Sequence, residues 1–232
     1  MQRSGDGVPI SRSVQGRSRH FRPLIASVIR RMIDFAYYTE TIKAQTALLS
    51  QREKVALCLI CCLRLEPLYR RFTVTECWGD NEVLMKCRDS GFGWLDGVDV
   101  DASKLQQEME PHIPHTDDFG SILGSFALNA GLAHLDLLAQ LQTNDNEPLT
   151  DALQVCYDTV DFAVQTTIDP SCKSSIPSAD IDSHPMMLLE VRIQIELIRS
   201  ISGNKNLRSF VEGQSYENEL AKFISNALDT QD

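Results

Sequence analysis

The densest set of chemistry-bearing side chains is His112, His115, Asp117 and Asp118, four potential metal ligands in one short stretch. A zinc site needs a tetrahedral set, and no further His or thiolate stands at ligand spacing. A helical di-metal site would show Glu-x-x-His pairs on facing helices, and the sequence has none. A loop leading into a helix accounts for the pattern without a metal. Thr116 then caps the helix, and Asp117 and Asp118 lie in its first turn, where the helix dipole favours carboxylates. Cys58, Cys61 and Cys62 form a C-x-x-C-C string. Thiol-disulfide chemistry would place such a motif at a helix start after a strand, with a depressed thiol pKa. Here it sits mid-helix among Leu and Ile, which reads as core.

Glu190, Gln194 and Glu196 fall on a segment whose apolar residues cover two faces, Leu188, Val191, Ile195 and Ile198 on one and Met186, Leu189, Ile193 and Leu197 on the other. A helix apolar on two faces is buried, and an ionisable group there must be paired. Arg192 to Glu196 and Glu196 to Arg199 have the spacing for such pairs. A buried Glu190 with a perturbed pKa is a candidate for catalysis, and polar satisfaction within the core is the competing reading. His134 follows Ala130 by one turn at the edge of an apolar stripe and reads as a hydrogen-bonded core histidine. The chain carries no phosphate loop, nucleotide fingerprint or Ser-His-Asp order. No catalytic residue, metal or cofactor is therefore assigned.

The elements that must position these residues are all helical. Residues 33–48 place apolar side chains at loosely helical spacing. Ser50 with Glu53 is a capping box that starts a helix running through Leu65, and Pro67 then kinks it or begins a new segment to Thr75. Asp80 caps a helix weakened in its second half by Gly91, Gly93 and Gly97. Asp101 or Ser103 opens a short helix ended by Pro111 and Pro114. The next helix is expected over 118–142, with Phe119, Leu123, Phe126, Ala130, Leu137 and Leu141 as its stripe. Gly120, Gly124, Ala127 or Leu128, and Gly131 beside that stripe form a close-approach face for another helix. Pro148 starts the clearest amphipathic pattern, Leu149, Leu153, Cys156, Val160 and Ala163. Residues 170–182 read as loop, Pro185 to Ile201 as the buried helix, and 206–228 as a last helical stretch broken near Gly213. Short connections between these segments predict an all-α, single-domain antiparallel bundle of about seven to eight helices.

The composition is that of a globular protein, 43% hydrophobic with a formal charge of -10. Residues 1–31 hold seven Arg and one acid, 7 - 1 = +6, which leaves 15 - 31 = -16 for the remainder from Met32. That balance argues against a nucleic-acid surface. No apolar run reaches the roughly 18 residues of a membrane span, so no membrane is expected. An odd number of Cys, three of them in the most apolar segment, points to a reducing, cytoplasmic setting. Too little apolar surface lies in the first 20 residues to offset the entropy of ordering them, so disorder is expected there. Three readings of that basic extension stand: an arm for an acidic partner, an organelle-targeting peptide, or sequence upstream of a start at Met32.

From about Ile42 to Ile201, roughly two thirds of the chain, the sequence resembles the bacterial YjaG-like proteins, domain of unknown function 416. The resemblance rests on Pro67-Leu68-Tyr69 after the apolar helix and on the Gly79-Asp80 helix start. Ile113-Pro114 followed by Asp117-Asp118-Phe119 continues it, as does the amphipathic stretch 147–164. His184-Pro185 leads to Glu190, Ile193-Gln194-x-Glu196 and Arg199. It implies an all-helical, cytoplasmic protein with no assigned activity, and it carries over no catalytic residues. It also implies a start near Met32. The Gly-rich stretch from Gly91 to Gly97 departs from the more regular helix expected there.

Two functions are set against each other by these residues. The first is a non-enzymatic adaptor or immunity-like protein whose acidic surface docks a protein partner, or a second copy of itself. The second is a small-ligand binder or enzyme with a pocket near Asp117, Asp118, His134 and Glu190.

Overall fold

A computed structural model describes residues 35–169, 175–214 and 219–229, so the basic extension 1–31 and Cys172 lie outside the described residues. Among the described residues there are ten α-helices, two 3-10 turns and no strand. The helices are α1 (Phe35–Thr46), α2 (Gln51–Glu76), α3 (Asn81–Leu95), α4 (Ala102–Met109) and α5 (Leu123–Gln142). They continue with α6 (Glu147–Ile168), α7 (Ser178–Asp182), α8 (Pro185–Ile201), α9 (Leu207–Glu212) and α10 (Glu219–Asp229).

The helix starts follow from local chemistry. Ser50 and Glu53 complete the capping box, with the Ser50 amide donating to Glu53 Oε2 at 2.8 Å and Ser50 Oγ accepting from the Glu53 amide. Asp80 accepts from the Glu82 amide and Asp101 from the Lys104 amide. At α8, His184 Nδ1 accepts from the Met186 amide, beside a proline at the first helical position. Each such cap is worth about 1 kcal/mol.

The 26-residue α2 is the axis of the molecule. Its stretch from Val55 to Cys62 is buried throughout, and α2 packs against α3, α5, α6, α8 and α9. Cys58, Cys61 and Cys62 are all buried there, and burial pushes the Cys58 and Cys62 thiols up, so they act as small apolar side chains. Helix α5 lies along α2 and contributes Phe126, Ala130, Leu137 and Leu138, all 0% exposed.

Several expected boundaries are revised. Helix α2 runs through Pro67 without a break. A proline inside a helix costs about 3 kcal/mol, and the burial of Leu65, Leu68, Tyr69 and Phe72 on both flanks outweighs it. The helix expected from residue 118 begins only at Leu123. Thr116–Asp118 is instead a 3-10 turn, and Phe119 is extended, with φ -124 and ψ 130. The reason is aromatic packing: the Phe119 ring lies edge-on to Phe72 at 4.8 Å and to Trp78 at 5.4 Å, a position a helical backbone would forfeit.

The small-residue stripe on α5 does meet close neighbours, from the preceding loop and from Met109 at the end of α4. A side chain at Gly131 would meet Ile113, and one at Gly124 would meet Phe119. Helix α3 continues regularly through Gly91 and Gly93 to Leu95. Gly91 is where it crosses α2 and α5, since a Cβ there would stand 2.8 Å from Leu59 Cδ2 and 3.2 Å from Leu137 Cδ2. The stretch 170–182 contains the short α7, and the final segment divides into α9 and α10, which raises the count above the expected seven to eight.

Candidate functional site

The polar residues that matter most lie inside the core, where α1, α2, α6 and α8 meet. Arg64 on α2 and Glu190 on α8 form a two-point ion pair, Arg64 Nη1 to Glu190 Oε1 at 3.0 Å and Nη2 to Oε2. Gln194, one turn along α8, donates to Glu190 Oε1 at 2.7 Å and to the Leu153 carbonyl of α6 at 2.9 Å. Its own carbonyl accepts from the Tyr38 hydroxyl of α1 at 2.6 Å. Tyr38 stacks on Tyr157 of α6, with ring centroids 4.9 Å apart, and Tyr157 donates to Asp182 Oδ1 at 3.3 Å.

This network joins four helices through the Glu190 carboxylate and the Gln194 amide. Burial disfavours the Arg64 charge, and the Glu190 carboxylate outweighs it, holding the guanidinium pKa above its ordinary value. Burial, with Glu190 nearby, pushes the Tyr38 hydroxyl up. Glu190 is 0% exposed, and both of its oxygens accept from protein donors.

His134 belongs to a second buried cluster. It is 0% exposed, and its Nδ1 lies 2.8 Å from the Ala130 carbonyl. The geometry assigns the proton to Nδ1 and leaves Nε2 as a buried acceptor with no hydrogen-bond partner among the described residues. Burial is the largest influence and lowers the pKa, which keeps the ring neutral. Glu66 and Arg88 face it electrostatically and are bonded to each other, Arg88 Nη1 to Glu66 Oε2 at 2.9 Å.

Asp117 and Asp118 stand apart from both clusters, exposed on the 3-10 turn. Glu196 is exposed on the far side of α8, and among the described residues it makes no ion pair with Arg192 or Arg199. The structure therefore brings Glu190 and Gln194 together and leaves Asp117, Asp118, His134 and Glu196 separate. A cavity of about 260 Å³ between α2, the start of α5 and α10 is lined by none of them. No group of three or more His, Cys, Asp or Glu able to hold a metal occurs among the described residues. No helix there is long and apolar enough to cross a membrane.

Sequence reasoning missed Arg64, Tyr38 and Tyr157. Arg64 carried a readable signal: it is the only charged residue between Lys54 and Glu66, so a helix buried along that length had to pair it.

The surface has its own pattern. From residue 105 to residue 189, leaving out the buried Glu190, the chain has thirteen acids and one basic residue, Lys173. Helix α6 turns Asp151, Asp158 and Asp161 to one side, and Asp136 of α5 faces Asp151. Their bonded partners are neutral donors: Gln154 to Asp158 at 2.7 Å and Gln165 to Asp161 at 3.1 Å. Partial burial raises all four carboxyls, Asp136 to about 7 with Asp151 adding to it.

An all-helical fold around the buried Arg64–Glu190 pair defines the class of protein, a helical bundle. Within it the chain belongs to the family described as "Protein of unknown function (DUF416)", whose model matches residues 41–215. The fold is similar to that in the crystal structure of a DUF416 family protein from Shewanella baltica OS155. That structure shares 20% sequence identity and a TM-score of 0.61, over 81% of this chain and 93% of that one. Comparison with curated proteins finds no match.

Proposed function

We propose that this protein is a non-catalytic docking protein whose acidic face, carried by α6 and the neighbouring end of α5, receives a cationic surface of a partner protein. The supporting observation is the set of carboxylates Asp136, Asp151, Asp158 and Asp161, which has no ion pair among the described residues. Partial burial raises all four groups, neighbouring carboxylates add to it at Asp136, Asp151 and Asp161, and Lys43 only partly offsets it at Asp151, so an approaching Lys or Arg surface would favour their charged forms. Attraction of this kind steers encounter and is screened by salt.

The test is capture with the full chain and with the triple variant Asp151→Asn, Asp158→Asn, Asp161→Asn, followed by direct binding of the captured protein in purified form. A basic protein that binds the wild type and loses at least about tenfold in affinity on the variant supports the reading. Equal binding to both proteins removes it. No geometric observation favours the competing pocket of Asp117, Asp118, His134 and Glu190.

A further inference from the structure

We infer that the basic segment 1–31 occupies the acidic face of α6 on its own chain, as a built-in competitor of the cationic partner; this rests on the docking reading above. The charges are complementary. Residues 1–31 hold seven Arg, one Asp and no Lys. The face presents Asp151 and Asp158, both exposed, and Asp161, half-buried, with Asp182 of α7 joining them through its contact with Tyr157. The guanidinium fork matches a carboxylate better than a point charge does.

The path of the chain delivers the segment to this face. Three contacts fix how α1 lies on α6. Asn146, the residue before α6, donates to Thr46 Oγ1 at 2.8 Å and to the Lys43 carbonyl at 3.4 Å, both at the C-terminal end of α1. Lys43 lies near enough to Asp151 to offset part of the rise in its carboxyl pKa. Tyr38, in the first turn of α1, stacks on Tyr157, further along α6. The two helices therefore run antiparallel, and the end of α1 that the basic segment leads into lies beside Asp158 and Asp161. Arg31 stands four residues before Phe35, so at roughly 3.6 Å per residue it reaches about 14 Å from the start of α1. Asp151 is about 15 Å from Asp161 along the helix, within the span of Arg22, Arg19 and Arg17 behind it. A tethered segment meets its site at an effective concentration on the order of millimolar, so it competes with any partner more dilute than that.

Binding of a labelled hexa-arginine peptide to the full chain, read by fluorescence anisotropy at roughly 0.02 M ionic strength, tests this. To the full-length variant Arg17→Gln, Arg19→Gln, Arg22→Gln, Arg30→Gln, Arg31→Gln the peptide should bind at least about tenfold tighter than to the wild type. Adding Asp151→Asn, Asp158→Asn, Asp161→Asn should abolish that gain. Without peptide, amide NMR shifts of the wild type and the Arg→Gln variant should differ on α6 around Asp158 and Asp161 and coincide on α3. Equal peptide binding to the two, or coincident shifts on α6, would overturn the inference; the docking reading would survive if binding still fell with the Asn changes. A gain that persists without the three carboxylates would overturn it too, by placing the segment on another surface. So would a wild-type affinity that changes on tenfold dilution of the chain, which would seat the segment on a second copy.

Discussion

Arg64 and Glu190 face each other across the α2–α8 contact with both ends of the guanidinium fork engaged and side chains only 7% and 0% exposed. The charges neutralise one another inside the core, and neither can be removed without leaving the other buried and unpaired. Arg64→Ala and Glu190→Ala should each lower the unfolding free energy by about 3–5 kcal/mol in urea titrations. The double variant Arg64→Met, Glu190→Leu should be more stable than either single one, because both desolvation penalties vanish together. A loss below about 1 kcal/mol for either single variant would mean that the pair is solvated.

Two glycines of α3 should respond in opposite directions. Gly91→Ala pushes a methyl against Leu59 and Leu137 and should cost about 1–3 kcal/mol by overpacking. Gly93 has only Val98 near its would-be Cβ, at 3.7 Å, an ordinary contact. Gly93→Ala should therefore stabilise by about 0.5–1 kcal/mol through helix propensity and a less flexible unfolded chain. Thermal midpoints of the two variants measured side by side check the pair of signs.

The pH dependence has two opposed components. Burial raises Asp136 to about 7, while an unfolded Asp titrates near 3.9. The native state thus binds the extra proton, and stability falls as pH rises between those values. Asp136→Asn should melt higher than the wild type at about pH 8 and lose that advantage near pH 4. Burial lowers His134, so the unfolded chain takes up its proton first, and stability falls as pH drops below about 6.5. His134→Gln should flatten that acid limb. Parallel melting curves for wild type and Asp136→Asn across the range would contradict the assignment to Asp136.

Much of this fold was legible from caps and periodicity. Ser50 with Glu53, Asp80, Asp101 and Pro185 each mark a helix start that the structure keeps, because a cap acts through its own first turn. The misread boundaries are those decided by distant partners. Phe119 is withheld from a helix by Phe72 and Trp78, and Pro67 is carried through one by the burial around it. Neither is visible to a local reading. The same holds for the polar core: Glu190 and Gln194 were legible as buried groups on an all-round apolar helix, but their partners lie 126 and 156 residues away in sequence. Asp117 and Asp118 stood out by density alone, and density on an exposed turn reflects solvation.

The most direct test of the docking account is the salt dependence of association between the full chain and its captured basic partner, followed by stopped-flow mixing. With Asp151, Asp158 and Asp161 intact, the association rate should fall by about tenfold or more as ionic strength rises from roughly 0.02 to 0.3 M, since the screening length shrinks to a few ångström. In the triple Asn variant the rate should start low and vary little with salt. An association rate insensitive to salt in the wild type, or identical salt curves for wild type and variant, would contradict the assignment of the acidic face as the docking surface.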